Sequence, residues 1–223
     1  MKQTSILVLA LLLLGGLAWT ESGDEGSVLP LDLPSGHAVT DEEDDEDQSE
    51  SIIFFGQEFE GQAFFFLLDK SGSMVGAKMA SLKHELATSI QGLSRSSEFG
   101  MVAFSTGNLI YSPLPKKATA SRKANAIAWV DALQPYGATF MLDGATALLP
   151  IASLSRKRHR VVIAVGDGLP NGPGADDTLQ GILTANWENL PFNTILFGTQ
   201  QAAIDFMSDL AAATGGSFSS NPD

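Results

Sequence analysis

Cysteine is missing altogether from the 223-residue chain, and histidine is scarce, at three. No disulfide can staple the fold, so stability must come from core packing, and the chain is long enough to bury a sizeable core. Basic residues are few: 13 Lys and Arg stand against 26 Asp and Glu, a formal net charge of −13 at pH 7. That balance argues against a nucleic-acid ligand. The one dense basic cluster, Arg156, Lys157, Arg158 and Arg160, falls between a helix-like stretch and a strand and reads as a solvated helix end. A membrane-length apolar run is lacking too. The stretch from Ile6 to Trp19 falls short of the roughly 20 residues that cross a bilayer.

What the chain has instead is three kinds of material. Residues 1–20, MKQTSILVLALLLLGGLAWT, set one lysine before an apolar core and small residues at Gly16 and Ala18, with Thr20 behind them. This pattern predicts a cleaved export signal, and hence a secreted, periplasmic or cell-surface protein; a membrane would be met only through an uncleaved leader. Residues 21–50 are rich in Ser, Gly, Pro and acid and end in DEEDDEDQSE. They hold too little apolar surface to offset the entropy of ordering and read as a disordered acidic linker. Residues 1–50 carry 12 acidic residues and one lysine, against 14 acidic and 12 basic residues in 51–223. The acidity thus belongs to the tether, and residues 51–223 form a nearly neutral folded domain.

Within 51–223, apolar runs alternate with helical patterns. SIIFFGQEFEGQAFFFLLD reads as a short strand, a turn around Glu58 to Gly61, and a long buried strand ending at Leu68. Gly76 to Leu93 has helical spacing, with apolar Met79, Leu82, Leu86, Ile90 and Leu93. FGMVAFS (99–105) and NLIYSPL (108–114) read as strands, and Ser121 as the cap of a helix through Leu133. Further helices are expected over Leu142–Leu154, Asp176–Trp187 and Ala202–Ala213, with strands at RVVIAVGDG, NTILFGT (193–199) and GGSFSS. FFFLL and VVIAV are apolar at every position, which marks strands covered on both faces. The fold class that follows is α/β, a doubly wound, mostly parallel sheet with helices on both sides. Such sheets bind ligands outside the carboxyl ends of their strands. Asp69 follows one central strand and Asp167 another, so two distant carboxylates arrive at one sheet edge.

The segment LLDKSGSM (67–74) sharpens this. In an extended loop, residues at i, i+2 and i+4 tend to point the same way, so Asp69, Ser71 and Ser73 can converge, with Gly72 letting the backbone bend tightly. Carboxylate and hydroxyl oxygens are hard ligands. Without His or Cys in the motif they favour a divalent cation of the magnesium, manganese or calcium kind over zinc.

DKSGSM resembles the D-x-S-x-S signature of the von Willebrand factor type A family, the first segment of its metal-ion-dependent adhesion site. YGATFMLDGATAL (136–148) resembles the second segment, whose threonine maps to Thr139, and VVIAVGDGLPN (161–171) the third, whose aspartate maps to Asp167. The resemblance covers 51–223. It implies that Ser71 and Ser73 bind the cation directly, Thr139 directly or through water, and Asp69 and Asp167 mostly through water or as outer acceptors. It also implies that an Asp or Glu of a protein partner fills the open coordination position. Asp143, four residues past Thr139, is expected to cap or orient the second loop. His37, His84 and His159 do not resemble ligands.

Enzyme readings fit less well. GSMVGAK lacks phosphate-loop spacing, since Ala77 separates Gly76 from Lys78. A magnesium-dependent phosphohydrolase acting through Asp69 would need a carboxylate two residues on as general acid, and Ser71 stands there. No G-x-S-x-G elbow is present, and no histidine is placed to activate Ser71 or Ser73. The expected function is a non-enzymatic protein-binding module; the phosphohydrolase, and a metal-binding scaffold without adhesive role, stand as competing readings.

Overall fold

The computed structural model describes residues 48–221, so the expected export signal and most of the acidic linker lie outside the described residues. Nine strands are described: β1 (Glu50–Phe54), β2 (Gln57–Gly61), β3 (Ala63–Asp69), β4 (Glu98–Phe104), β5 (Leu109–Ile110), β6 (Lys116–Lys117), β7 (Arg160–Gly166), β8 (Phe192–Phe197) and β9 (Phe218–Asn221). The helices are α1 (Ala77–Gly92), α2 (Ala120–Asp131), α3 (Met141–Ser153), α4 (Ala175–Ala185) and α5 (Gln201–Thr214). β1 already includes Glu50, the last residue assigned to the linker.

β3 lies at the centre of a seven-stranded sheet of order β5-β4-β3-β7-β8-β9, with β6 also paired to β4. β4, β3, β7, β8 and β9 run parallel, while β5 and β6 are antiparallel to β4. Every residue of β3 is buried. Phe64, Phe66 and Leu68 pack with Leu82, Leu86 and Ile90 of α1 and Val130 of α2. Phe65 and Leu67 face the opposite way, toward Leu148 of α3, Ile182 of α4 and Leu210 of α5. A strand whose alternate residues enter two separate cores must be apolar throughout, which is why FFFLL shows no alternation. The α/β, doubly wound, mostly parallel architecture is thus the observed one.

Three local readings need correction. Glu58 to Gly61 is not a turn but part of β2, which pairs antiparallel with β1 in a separate hairpin. The reversal falls at Phe55 and Gly56, with φ of 50° and 70°, the double positive φ of a type I′ two-residue hairpin loop. Phe55 is held in this sparsely populated conformation because its ring packs edge-on against Phe54 and Phe197 and its N–H donates to Glu85 Oε2 at 3.0 Å. Ser121 does not cap α2: the helix starts at Ala120, with Thr119 at the cap position. The strand expected over 108–114 shrinks to Leu109–Ile110, because Pro113 cannot donate and Ser112 Oγ instead bonds the Leu114 carbonyl at 2.8 Å.

β3 leads through α1 to β4 on one side, whereas β7 pairs with its other side. Connections therefore diverge at the carboxyl ends of β3 and β7, leaving a crevice at that edge of the sheet.

Candidate metal centre

Asp69, the last residue of β3, is fully buried. Its Oδ1 accepts the Ser71 N–H at 2.7 Å, whereas Oδ2 has no hydrogen-bond partner. Burial pushes its pKa up to about 7; the hydrogen bonds from Ser71 act against this, and the charge of Asp167 adds to it. A buried, half-satisfied carboxylate is costly. Opposite it stands Gly166, where any Cβ would lie 3.3 Å from Asp69 Oδ2.

After Asp69 the chain turns through a single 3-10 turn, Gly72–Met74, anchored by the fully buried Met74. This turn aims the serines at each other: Ser71 Oγ and Ser73 Oγ are 3.1 Å apart. Ser73 Oγ donates to Asp167 Oδ1 at 2.7 Å, closing a sequence separation of 94 residues. Asp167 directly follows β7, and its other oxygen accepts from Lys78 Nζ at 3.0 Å.

Thr139 comes from the loop between α2 and α3. That loop is tied to the serine turn by backbone bonds, Gly72 N to the Gly137 carbonyl at 2.9 Å and Tyr136 N to the Lys70 carbonyl at 2.7 Å. Gly137 adopts φ of 83°, and a Cβ there would lie 2.4 Å from Thr106 Oγ1, so only glycine fits. Thr139 itself is buried and clamped by Asn171: its N–H donates to Asn171 Oδ1 at 2.8 Å, and its carbonyl accepts the Asn171 N–H at 2.9 Å.

Asp69, Ser71, Ser73 and Asp167 are therefore joined in one hydrogen-bonded chain, and Thr139 is fastened to the same loop through main-chain bonds. The donor set is two carboxylates and three hydroxyls; among the described residues no three His, Cys, Asp or Glu side chains converge. Such a set suits a hard dication rather than zinc. The unpaired Oδ2 of Asp69 is the kind of acceptor that a cation or its bound water would satisfy.

Asp143 lies exposed in the first turn of α3, where its carbonyl accepts from Asn108 Nδ2 at 2.9 Å. His84 is exposed on α1, His159 bonds Ser49 Oγ at 2.8 Å before β7, and His37 lies outside the described residues. Sequence reasoning passed over three supporting residues. From sequence, Lys78 reads only as a phosphate-loop lysine. Asn171 closes the quoted GLPN segment, and Thr106, whose Oγ1 accepts the Ala138 N–H at 2.9 Å, had no local signal.

A family model described as von Willebrand factor type A domain matches residues 62–219. No curated protein matches the sequence. Among solved structures, a von Willebrand factor type A protein from Catenulispora acidiphila aligns at a TM-score of 0.63 and 20% identity, covering 74% of this chain and 40% of that one. The PilB minor pilin from Streptococcus sanguinis aligns at 0.61 and 14% identity, covering 75% and 59%. The vWF domain of the type V pili tip protein Mfa5 from Porphyromonas gingivalis aligns at 0.60 and 12% identity, covering 78% and 90%. The alignment thus takes in less than two thirds of the first two structures, and at these identities the likeness establishes the fold.

Proposed function

Because the chain belongs to the von Willebrand factor type A family, we propose that it is an exported protein-binding module whose oxygen cluster holds a divalent cation, magnesium first, and shares it with a partner's Asp or Glu. Asp69, Ser71, Ser73, Thr139 and Asp167 would hold the cation. Bound there, it supplies a Lewis-acidic vertex that accepts a carboxylate oxygen. The residues' own contribution is to keep the donor set weakly charged. Ser73 donates its proton to Asp167, accepts from Ser71 and keeps one lone pair for a cation. A cation held largely by neutral hydroxyls keeps more of its charge for an incoming anion.

The observation that carries this reading is the Ser71–Ser73–Asp167 chain of hydrogen bonds beside the unpartnered Asp69 Oδ2. The flanks support a protein partner: Val75 and Tyr136, on the two loops of the site, are 71% and 74% exposed. Large apolar side chains left in water around a polar centre favour burial against another surface. Export rests on the N-terminal leader pattern and on the pilin and pilus-tip proteins among the structural neighbours. A phosphohydrolase would need an acid where Ser71 stands.

The test is a pull-down from the surface and secreted proteins of the exporting cell, with magnesium or with chelator. Capture in magnesium, loss in chelator, and loss in Thr139→Ala are expected. Capture indifferent to chelator, or phosphate-ester turnover abolished by Asp69→Asn, would refute the adhesive reading.

A further inference from the structure

We infer that Lys78 is a resident counter-ion of this cluster, holding Asp167 in the metal-free protein and weakening the cluster's grip on a divalent cation. The inference rests on the metal reading above.

Asp167 has both oxygens engaged, Oδ1 by the Ser73 hydroxyl and Oδ2 by the Lys78 ammonium. The side chains are 1% and 23% exposed, so the pair is largely withdrawn from water. Ion pairs on open surface contribute little, but removing one partner from a buried pair strands a charge. Lys78 is the second residue of α1, at the positive end of the helix dipole, where a cation is disfavoured. Its placement there is offset by Asp167.

The second buried carboxylate has no such partner. Lys70, next to Asp69 in the chain, turns its ammonium to Ser105 Oγ at 2.6 Å, and Asp69 Oδ2 stays unpaired. A dication arriving at the cluster therefore meets one carboxylate already neutralised and one that is not, together with a fixed positive charge on Asp167. Repulsion from that charge, in a site partly shielded from water, lowers affinity. The arrangement has a counterpart benefit: the cluster stays assembled without metal, since Asp167 is never left buried and unpaired.

The experiment is calorimetric titration of purified protein with magnesium chloride, alongside thermal melts with and without the salt, for wild type, Lys78→Met, Lys78→Gln and Lys78→Arg. Removing the charge (Met or Gln) is expected to tighten magnesium binding about tenfold, which is about 1.4 kcal/mol. Lys78→Arg keeps the charge and is expected to stay within about twofold of wild type. In chelator the neutral variants should melt below wild type, and magnesium should raise their melting temperature more than it raises the wild type's. Gln can still donate to Asp167 and serves if Met fails to fold. Equal or weaker magnesium binding by a folded neutral variant overturns the role of Lys78 while leaving the metal reading intact. No magnesium uptake by any of the four proteins overturns both.

Discussion

Asp69 sits under opposing demands. Under the proposed metal reading it must be available to a cation, yet it is fully buried with one oxygen unpaired, and its pKa is raised from 3.8 to about 7. The sign follows from linkage. A carboxyl whose folded pKa lies above its unfolded value favours the folded state in its neutral form, so its ionisation is a destabilising load at pH above about 7. That load is relieved as pH falls from 7 towards 3.8 and changes no further below. Its full size is on the order of 4 kcal/mol at most. In chelator the protein is therefore expected to melt higher at pH 5.5 than at pH 8, and Asp69→Asn should flatten this dependence while abolishing magnesium uptake. A melting temperature that rises steadily with pH in chelator would contradict the assignment. Asn171 makes a complementary case. It offers no ligand to the cluster but fixes the Thr139 backbone through two hydrogen bonds. Losing the side-chain bond in Asn171→Ala should weaken magnesium binding about fivefold, at roughly 1 kcal/mol per hydrogen bond, with little change in overall fold. Calorimetry together with circular dichroism reads both quantities.

At the scale of elements, the site depends on loops locked by backbone conformation. The α2–α3 loop passes against the serine turn only because Gly137 takes a positive φ in space that Thr106 closes to any Cβ. Gly137→Ala is expected to cost about 2 kcal/mol or more in urea unfolding and to reduce magnesium affinity, since Thr139 lies two residues on. The β1–β2 hairpin shows how local pattern misleads. Glu58 and Glu60 carry charges that suggest a turn, yet with Phe59 between them the exposed–buried–exposed alternation is that of a half-buried strand. The true turn holds Phe55, a residue that propensity would never place at positive φ. Its ring contacts with Phe54 and Phe197 outweigh the local strain. Ser121 misleads for a similar reason: a good capping residue two positions past the cap, Thr119, is ordinary helix sequence.

At the scale of the whole molecule, the acidic run and the site residues are segregated along the sequence. β1 begins at Glu50, which pairs with Gly61 just before the start of β3, whereas the oxygen cluster lies at the other end of that strand. Seven residues at about 3.3 Å each separate them, well beyond the Debye length of about 8 Å at physiological salt. If the five site oxygens alone hold the cation, replacing the acidic residues of 41–47 by Ser and Gly is expected to leave magnesium affinity within about twofold at 150 mM salt. A much larger loss would mean that the acidic run takes part in binding cations.

The sequence by itself determined the doubly wound sheet, because strands apolar at every position can only be buried on both faces. It also determined which five oxygen-bearing residues to suspect, because three short segments carry them after the right kind of element. The tertiary structure decided how those oxygens are held. Asn171 and Thr106 clamp the threonine loop, Lys78 neutralises Asp167, and Asp69 is left with a bare oxygen. Such pairings join residues up to 94 positions apart, and no local pattern encodes which side chain meets which across a folded sheet edge.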